Sequence, residues 1–131
     1  MAHTGTHSLR VTNRTQTWNG QQFEPVRADS TTGFKGVLQN GYRYDVSAWV
    51  RLGAGAAATP VYWSFDTTDA AGSHYPTSTA QMATSSDWVE LKDSFTPTIA
   101  GTLSAAGMSV EGAPVGVDIY IDDVTITATK L

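Results

Sequence analysis

Three kinds of residue in this chain have types that could do chemistry: the histidines, a short list of carboxylates, and many aromatic rings. The histidines are His3, His7 and His74. A His-x-x-x-His zinc pair at His3 and His7 needs a helix to bring both rings to one side, and the surrounding sequence cannot form one. All three therefore read as incidental surface residues. Glutamate occurs only at Glu24, Glu90 and Glu111. A glycosidase needs two carboxylates flanking a cleft, and although the aspartates could supply a pair, no spacing favours one. No Gly-x-Ser-x-Gly nucleophile elbow occurs. The expectation is a protein without a catalytic pair.

Asp122 and Asp123 interrupt the apolar run Val117 to Ile126. Acids inside such a strand are costly unless they bond backbone donors or a hard cation. Two readings stay open: a strand end or bulge whose carboxylates take N–H groups, or a structural calcium site. The aromatics say more. There are four Trp, five Tyr and four Phe. Tyr44, Trp63, Phe65 and Phe95 fall on the apolar side of their strands and are expected in the core. Trp49 shares its side with Arg43, Asp45, Ser47 and Arg51. Tyr62 is in register with Ser64 and Asp66, Tyr75 with Thr77, Thr79 and Gln81, and Glu111 with Ser109. Aromatic faces among Arg, Gln, Ser and Glu suit a pyranose: the ring faces pack on its C–H side, and the polar groups bond its hydroxyls. The same residues could instead cover a sheet or an oligomer interface.

The elements that must carry these residues are strands. The 131 residues suit one domain, and a chain of this size buries a real core. There are 19 Thr, 11 Ser, 12 Gly and five Pro, a composition of pleated surfaces cut by turns. Period-two alternation predicts strands over residues 7–13, 42–52, 61–66, 75–82, 88–95, 103–111 and 117–127. Asn40-Gly41 marks a turn before the second of these. Gly53 to Pro60 is alanine-rich, but two glycines and a proline make it a loop. About eight short strands without helices predict an antiparallel β-sandwich. The net charge of −4 disfavours nucleic acid and anionic membranes as partners. No cysteine is present, so disulfides and thiolate sites are excluded. The opening Met1-Ala2-His3-Thr4-Gly5 lacks the apolar stretch of a signal peptide.

Four stretches carry a family resemblance. Ser8-Leu9-Arg10-Val11-Thr12-Asn13-Arg14-Thr15-Gln16-Thr17-Trp18-Asn19-Gly20 resembles the opening motif of the family 22 carbohydrate-binding modules, the xylan-binding modules of xylanases within the wider family 4/9-type group. Gly41 to Val50, Ser86 to Leu91 and Ile119 to Val124 agree in order. The resemblance implies a single-domain, jelly-roll-like β-sandwich over residues 1–131 that binds xylan, or mixed-linkage β-glucan, without catalysis. It further implies an attached glycoside hydrolase in the parent protein and an extracellular location. Arg14 matches the family's binding arginine, Trp49 its stacking tryptophan, Tyr75 its cleft tyrosine and Glu111 its hydrogen-bonding glutamate. Tyr62 and Gln81 join them on the register argument alone. The resemblance also implies calcium near Asp122 and Asp123, shared with an N-terminal strand. Only seven residues precede Ser8, so that strand is expected to be truncated or missing, leaving a monomer or an edge-paired dimer. The competing expectation is an assembly sandwich with a degenerate sugar site that stabilises a neighbouring catalytic domain.

Overall fold

The computed structural model describes residues 1–23 and 33–131, so Glu24 lies outside the described residues. Among the described residues alternation is realised as nine strands: β1 (Leu9–Val11), β2 (Gln21–Phe23), β3 (Tyr42–Leu52), β4 (Thr59–Asp69), β5 (Gly72–His74), β6 (Gln81–Ala83), β7 (Val89–Phe95), β8 (Ala105–Glu111) and β9 (Ile119–Lys130). The one helical turn among the described residues is a 3₁₀ turn at Phe34–Gly36. All paired strands run antiparallel, in two sheets. One is ordered β1-β9-β3-β7; the other is β2-β8-β4-β5, with β6 also on β4. The predicted all-β sandwich is the observed fold.

The core lies between the sheets. Val46, Ala48 and Val50 of β3 face Val61, Trp63 and Phe65 of β4, all buried. Trp63 is fully buried and its indole N–H donates to the Leu91 carbonyl at 3.0 Å, which removes the cost of an unpaired polar group. Tyr44 is equally enclosed and donates its hydroxyl to Val37 O at 2.7 Å. Phe65 stacks on Phe95 with centroids 4.1 Å apart. These are the four aromatics that alternation assigns to the core.

β2 lies outside the expected strands, β4 starts at Thr59 inside the stretch expected as a loop, and two further strands depart from the expectation in register. The return strand predicted over residues 75–82 is regular only at Gln81 and Met82, with the short β5 just ahead of it. Between β5 and β6 the chain still follows β4 through a Ser64–Thr77 bridge and Phe65 N–H to Pro76 O at 2.9 Å. Thr67 pairs with His74 and Ser64 with Thr77, but Val61 pairs with Gln81, one residue out of step. A one-residue slip reverses which face a side chain takes. In β9, Ser47 pairs with Thr125 but Trp49 with Asp122, so Asp123 and Val124 together oppose Ala48. Asp123 has φ +48°, the left-handed conformation of a bulge.

Candidate functional site

The outer face of the second sheet forms a cleft. Its floor is set by register: Tyr62 lies opposite Glu111, Ser64 opposite Ser109, Asp66 opposite Gly107, and Gln22 of β2 opposite Ser109 on the far side. Tyr75 and Thr77 come alongside from the irregular segment after β5. Two adjoining hollows result. One of about 310 Å³ is lined by Trp18, Ser64, Asp66, Tyr75, Thr77 and Glu111. The other, about 210 Å³, shares Asp66 and Tyr75 and continues past Gln22 to Ala105. Glu111 to Ala105 is six residues of strand, about 20 Å, room for an extended chain. A side chain at Gly107 would collide with the Gln22 amide, so the glycine keeps this floor open. A larger hollow of about 410 Å³ over the opposite sheet, lined by Asp45, Ser47, Lys92 and Thr125 among others, contains no aromatic ring.

Two carboxylates bracket the cleft, each oriented by the serine two residues before it. Ser109 donates to Glu111 Oε1 at 2.7 Å, and Ser64 to Asp66 Oδ1 at 2.9 Å. Among the described residues the other oxygen of each carboxylate takes no protein hydrogen bond. Burial pushes the Glu111 carboxyl above its ordinary value; the Asp66 charge adds to this, while Ser109 and Arg14 oppose it. Four residues of register, about 13 Å of strand, separate the backbone positions of Asp66 and Glu111. The rim is aromatic: Trp18 is 62% exposed and Tyr75 68%, while Tyr62 is half-buried.

Trp18 is raised there by a knot around Arg14. Arg14 is 3% exposed, and its five N–H donors all point at backbone carbonyls. Nε donates to Asn19 O at 2.8 Å, Nη1 to Pro114 and Val117 at 3.0 and 3.2 Å, and Nη2 to Thr17 and Gln16 at 2.7 and 3.4 Å. Thr15 closes the turn by donating N–H and Oγ1 to Asn19 Oδ1. Gly20 presses so closely on Val110 O that no side chain fits there. Burial draws the Arg14 pKa below its usual value, partly countered by the Glu111 charge. The Asn-Arg-Thr-x-x-Trp-Asn-Gly spacing is thus a device for holding a tryptophan in solvent beside Glu111.

Of the residues singled out from sequence, the structure brings Tyr62, Tyr75 and Glu111 together, with Arg14 beneath them rather than among them. Gln81 is not with them. The one-residue slip carries it off the Tyr75–Thr77 face, and it stands exposed on β6. Trp49 is also elsewhere: it projects from an outer face as alternation requires, but from the other sheet, between Glu90 and Asp122. Alternation fixes a side of a strand, whereas the sheet depends on long-range pairing. Trp18, Asp66 and Gln22 also line the cleft and are not among the residues singled out from sequence, although Asp66 shares the Tyr62 register that marks the face.

Trp49 is covered by the first residues of the chain. The His3 ring stacks on its indole at 3.9 Å and 12°, with Trp88 edge-on to His3 at 5.9 Å. The β9 bulge turns both acids toward this segment. Asp122 Oδ2 accepts the His3 and Thr4 N–H groups at 2.7 and 3.3 Å, and its Oδ1 accepts Asp123 N–H at 2.9 Å. Thr4 Oγ1 donates to Asp123 Oδ1 at 2.6 Å, and His3 Nδ1 lies 2.7 Å from Oδ2. These bonds, His3 foremost, hold the Asp123 carboxyl below its ordinary value. Calcium takes six to eight oxygens. Here all four carboxylate oxygens already accept bonds from the chain, and among the described residues no cluster of three or more His, Cys, Asp or Glu could hold a metal. The pair thus sits in a bulge whose carboxylates take N–H and O–H groups of the chain.

Comparison with known proteins places this cleft in context. A family model described as carbohydrate binding domain matches residues 1–116. An endo-1,4-beta-xylanase A of Thermoanaerobacterium saccharolyticum is 34% identical over 126 residues, 94% of this chain but 10% of that protein. The exoglucanase XynX of Acetivibrio thermocellus is 33% identical over 94% of this chain and 11% of its own length. The chain therefore spans about a tenth of these curated relatives. Among solved structures, the CBM22-1 xylan-binding domain of Paenibacillus barcinonensis Xyn10C superposes with a TM-score of 0.82 at 22% identity, covering 100% of this chain and 78% of that one. The C-terminal family 22 carbohydrate binding module of Clostridium thermocellum Xyn10B gives 0.78 at 25% identity, covering 97% and 75%.

Proposed function

Because the chain belongs to the family of carbohydrate-binding domains, we propose that its cleft holds a xylan chain, or a xylo-oligosaccharide, without cleaving it. Mixed-linkage β-glucan is the nearest alternative ligand for the same groove. The observation that carries this reading is the rim of Trp18 and Tyr75 above Glu111 and Asp66 on one open sheet face. Exposed indole and phenol faces offer apolar platforms to the C–H side of a pyranose. The unpaired carboxylate oxygens accept bonds from its hydroxyls, and Gln22, Tyr62 and Thr77 add further polar groups along the groove. Arg14 acts as a positioning residue, fixing the turn that carries Trp18. The relatives are xylanases or an exoglucanase of which this stretch is about a tenth, so the module's role is to hold an attached glycoside hydrolase against its polysaccharide, outside the cell. Calorimetric titration with xylohexaose and cellohexaose tests the reading. Saturable binding of xylohexaose supports it, and absence of binding to both oligosaccharides refutes it.

A further inference from the structure

We propose that the cleft discriminates by charge, accepting neutral glycan chains and rejecting those that carry uronic acid branches, with Asp66 and Glu111 as the discriminating residues. This rests on the glycan-binding reading above and goes beyond it. Asp66 and Glu111 are the only charged side chains among the described residues lining the two hollows. Among the described residues Arg14 is the cation that acts on Glu111, and it lies beneath the floor with every donor bound to a carbonyl, so it offers no N–H to an incoming carboxylate. Both serines that could donate into the groove, Ser64 and Ser109, already donate to the two acids. The charged groups of this face are therefore both acceptors, and its donors are the neutral groups of Trp18, Tyr75, Thr77 and Gln22. Sugar hydroxyls satisfy acceptors by donating; a uronate brings another acceptor with a negative charge. The half-buried setting of Glu111 weakens solvent screening of that repulsion.

The size follows from Coulomb's law. A ligand carboxylate about 6 to 8 Å from each of two acids in a mostly aqueous setting loses on the order of three- to tenfold in affinity at low salt. The test is calorimetric titration with three ligands: xylohexaose, a xylo-oligosaccharide with one neutral arabinosyl branch, and one with a single glucuronosyl branch at the same position. Each is run at about 20 mM and about 500 mM salt, because screening over a Debye length shrinks a charge effect and leaves a steric one unchanged. The expected result is weaker binding of the glucuronosyl ligand than of the arabinosyl one at low salt, with the gap closing at high salt and narrowing in Asp66→Asn and Glu111→Gln. The ratio between branched ligands is read, so a general loss of affinity in a variant does not obscure it. Equal binding of the two branched ligands overturns the proposal, as does a gap indifferent to salt and to both variants. If xylohexaose and the neutral branched ligand do not bind, it is the glycan-binding reading that fails.

Discussion

Replacing Arg14 by lysine separates two roles for a residue that family resemblance places in the binding site. The guanidinium bonds five carbonyls, three from the turn at residues 16–19 and two from the loop at residues 114–117. An ammonium has three donors on one nitrogen and no planar fork, so it cannot reach both groups at once. At least two carbonyls lose their donor in a site 3% exposed. Hydrogen bonds from a charged donor contribute roughly 1.5 to 3 kcal/mol each, and partial re-satisfaction by the ammonium or water recovers some of that. The expected loss is about 2 to 4 kcal/mol, a fall in Tm on the order of 10 °C for a domain of this length. Affinity for xylohexaose should fall as well, because the turn holding Trp18 loses its anchor. Thermal unfolding and calorimetric titration of the same preparation give both numbers. A Tm within about 2 °C of the parent, combined with lost binding, would show that the guanidinium meets the sugar directly and that the positioning argument is wrong.

Trp18→Ala and Tyr75→Ala should each weaken xylohexaose binding about tenfold or more while barely moving Tm, since both rings are mostly exposed in the free protein. Trp49→Ala should do the opposite, lowering Tm through loss of the His3 stack and leaving affinity unchanged; a variant that stays stable but no longer binds would return Trp49 to the site. Chelator should leave Tm unaltered, because Asp122 and Asp123 accept their bonds from His3, Thr4 and their own backbone; a marked drop would reveal a bound cation. Glu111 has its folded pKa raised by burial, so its ionisation opposes folding above that value, and the penalty disappears as the pH falls through it. Glu111→Gln should therefore raise Tm near pH 7 and have no effect near pH 3, read from melting curves across that range.

The strands of long, regular alternation were legible in the sequence because burial on one side writes itself into every second residue. β3 is observed over the predicted 42–52, and Tyr44, Trp63 and Phe65 are in the core as expected. The face of Tyr62, Ser64 and Asp66 was legible for the same reason. Gln81 was not, because a single unpaired residue between Thr77 and Gln81 reverses its side without any mark in the residue types. Trp49 failed differently: its side was right, but nothing local reports that β3 pairs with β7 and β9 while β4 pairs with β8. Arg14 was found by motif, but its burial and its five partners were not legible, because those partners are carbonyls, which every sequence has everywhere.

The same knot bears on how the cleft comes into being. Arg14 meets the carbonyls of Pro114 and Val117 across about 100 positions of chain, and β2 reaches β8 across nearly as many. Closures of that length cost the most chain entropy and are typically slow to form. The Tyr75 wall grows from the local β4–β5 hairpin, but the Trp18 wall does not, so no early fragment of the protein presents Trp18 beside Glu111. A polysaccharide then has nothing to grip until the two ends of the sequence have met. It would act as a brake on unfolding, with no influence on the rate at which the sandwich assembles.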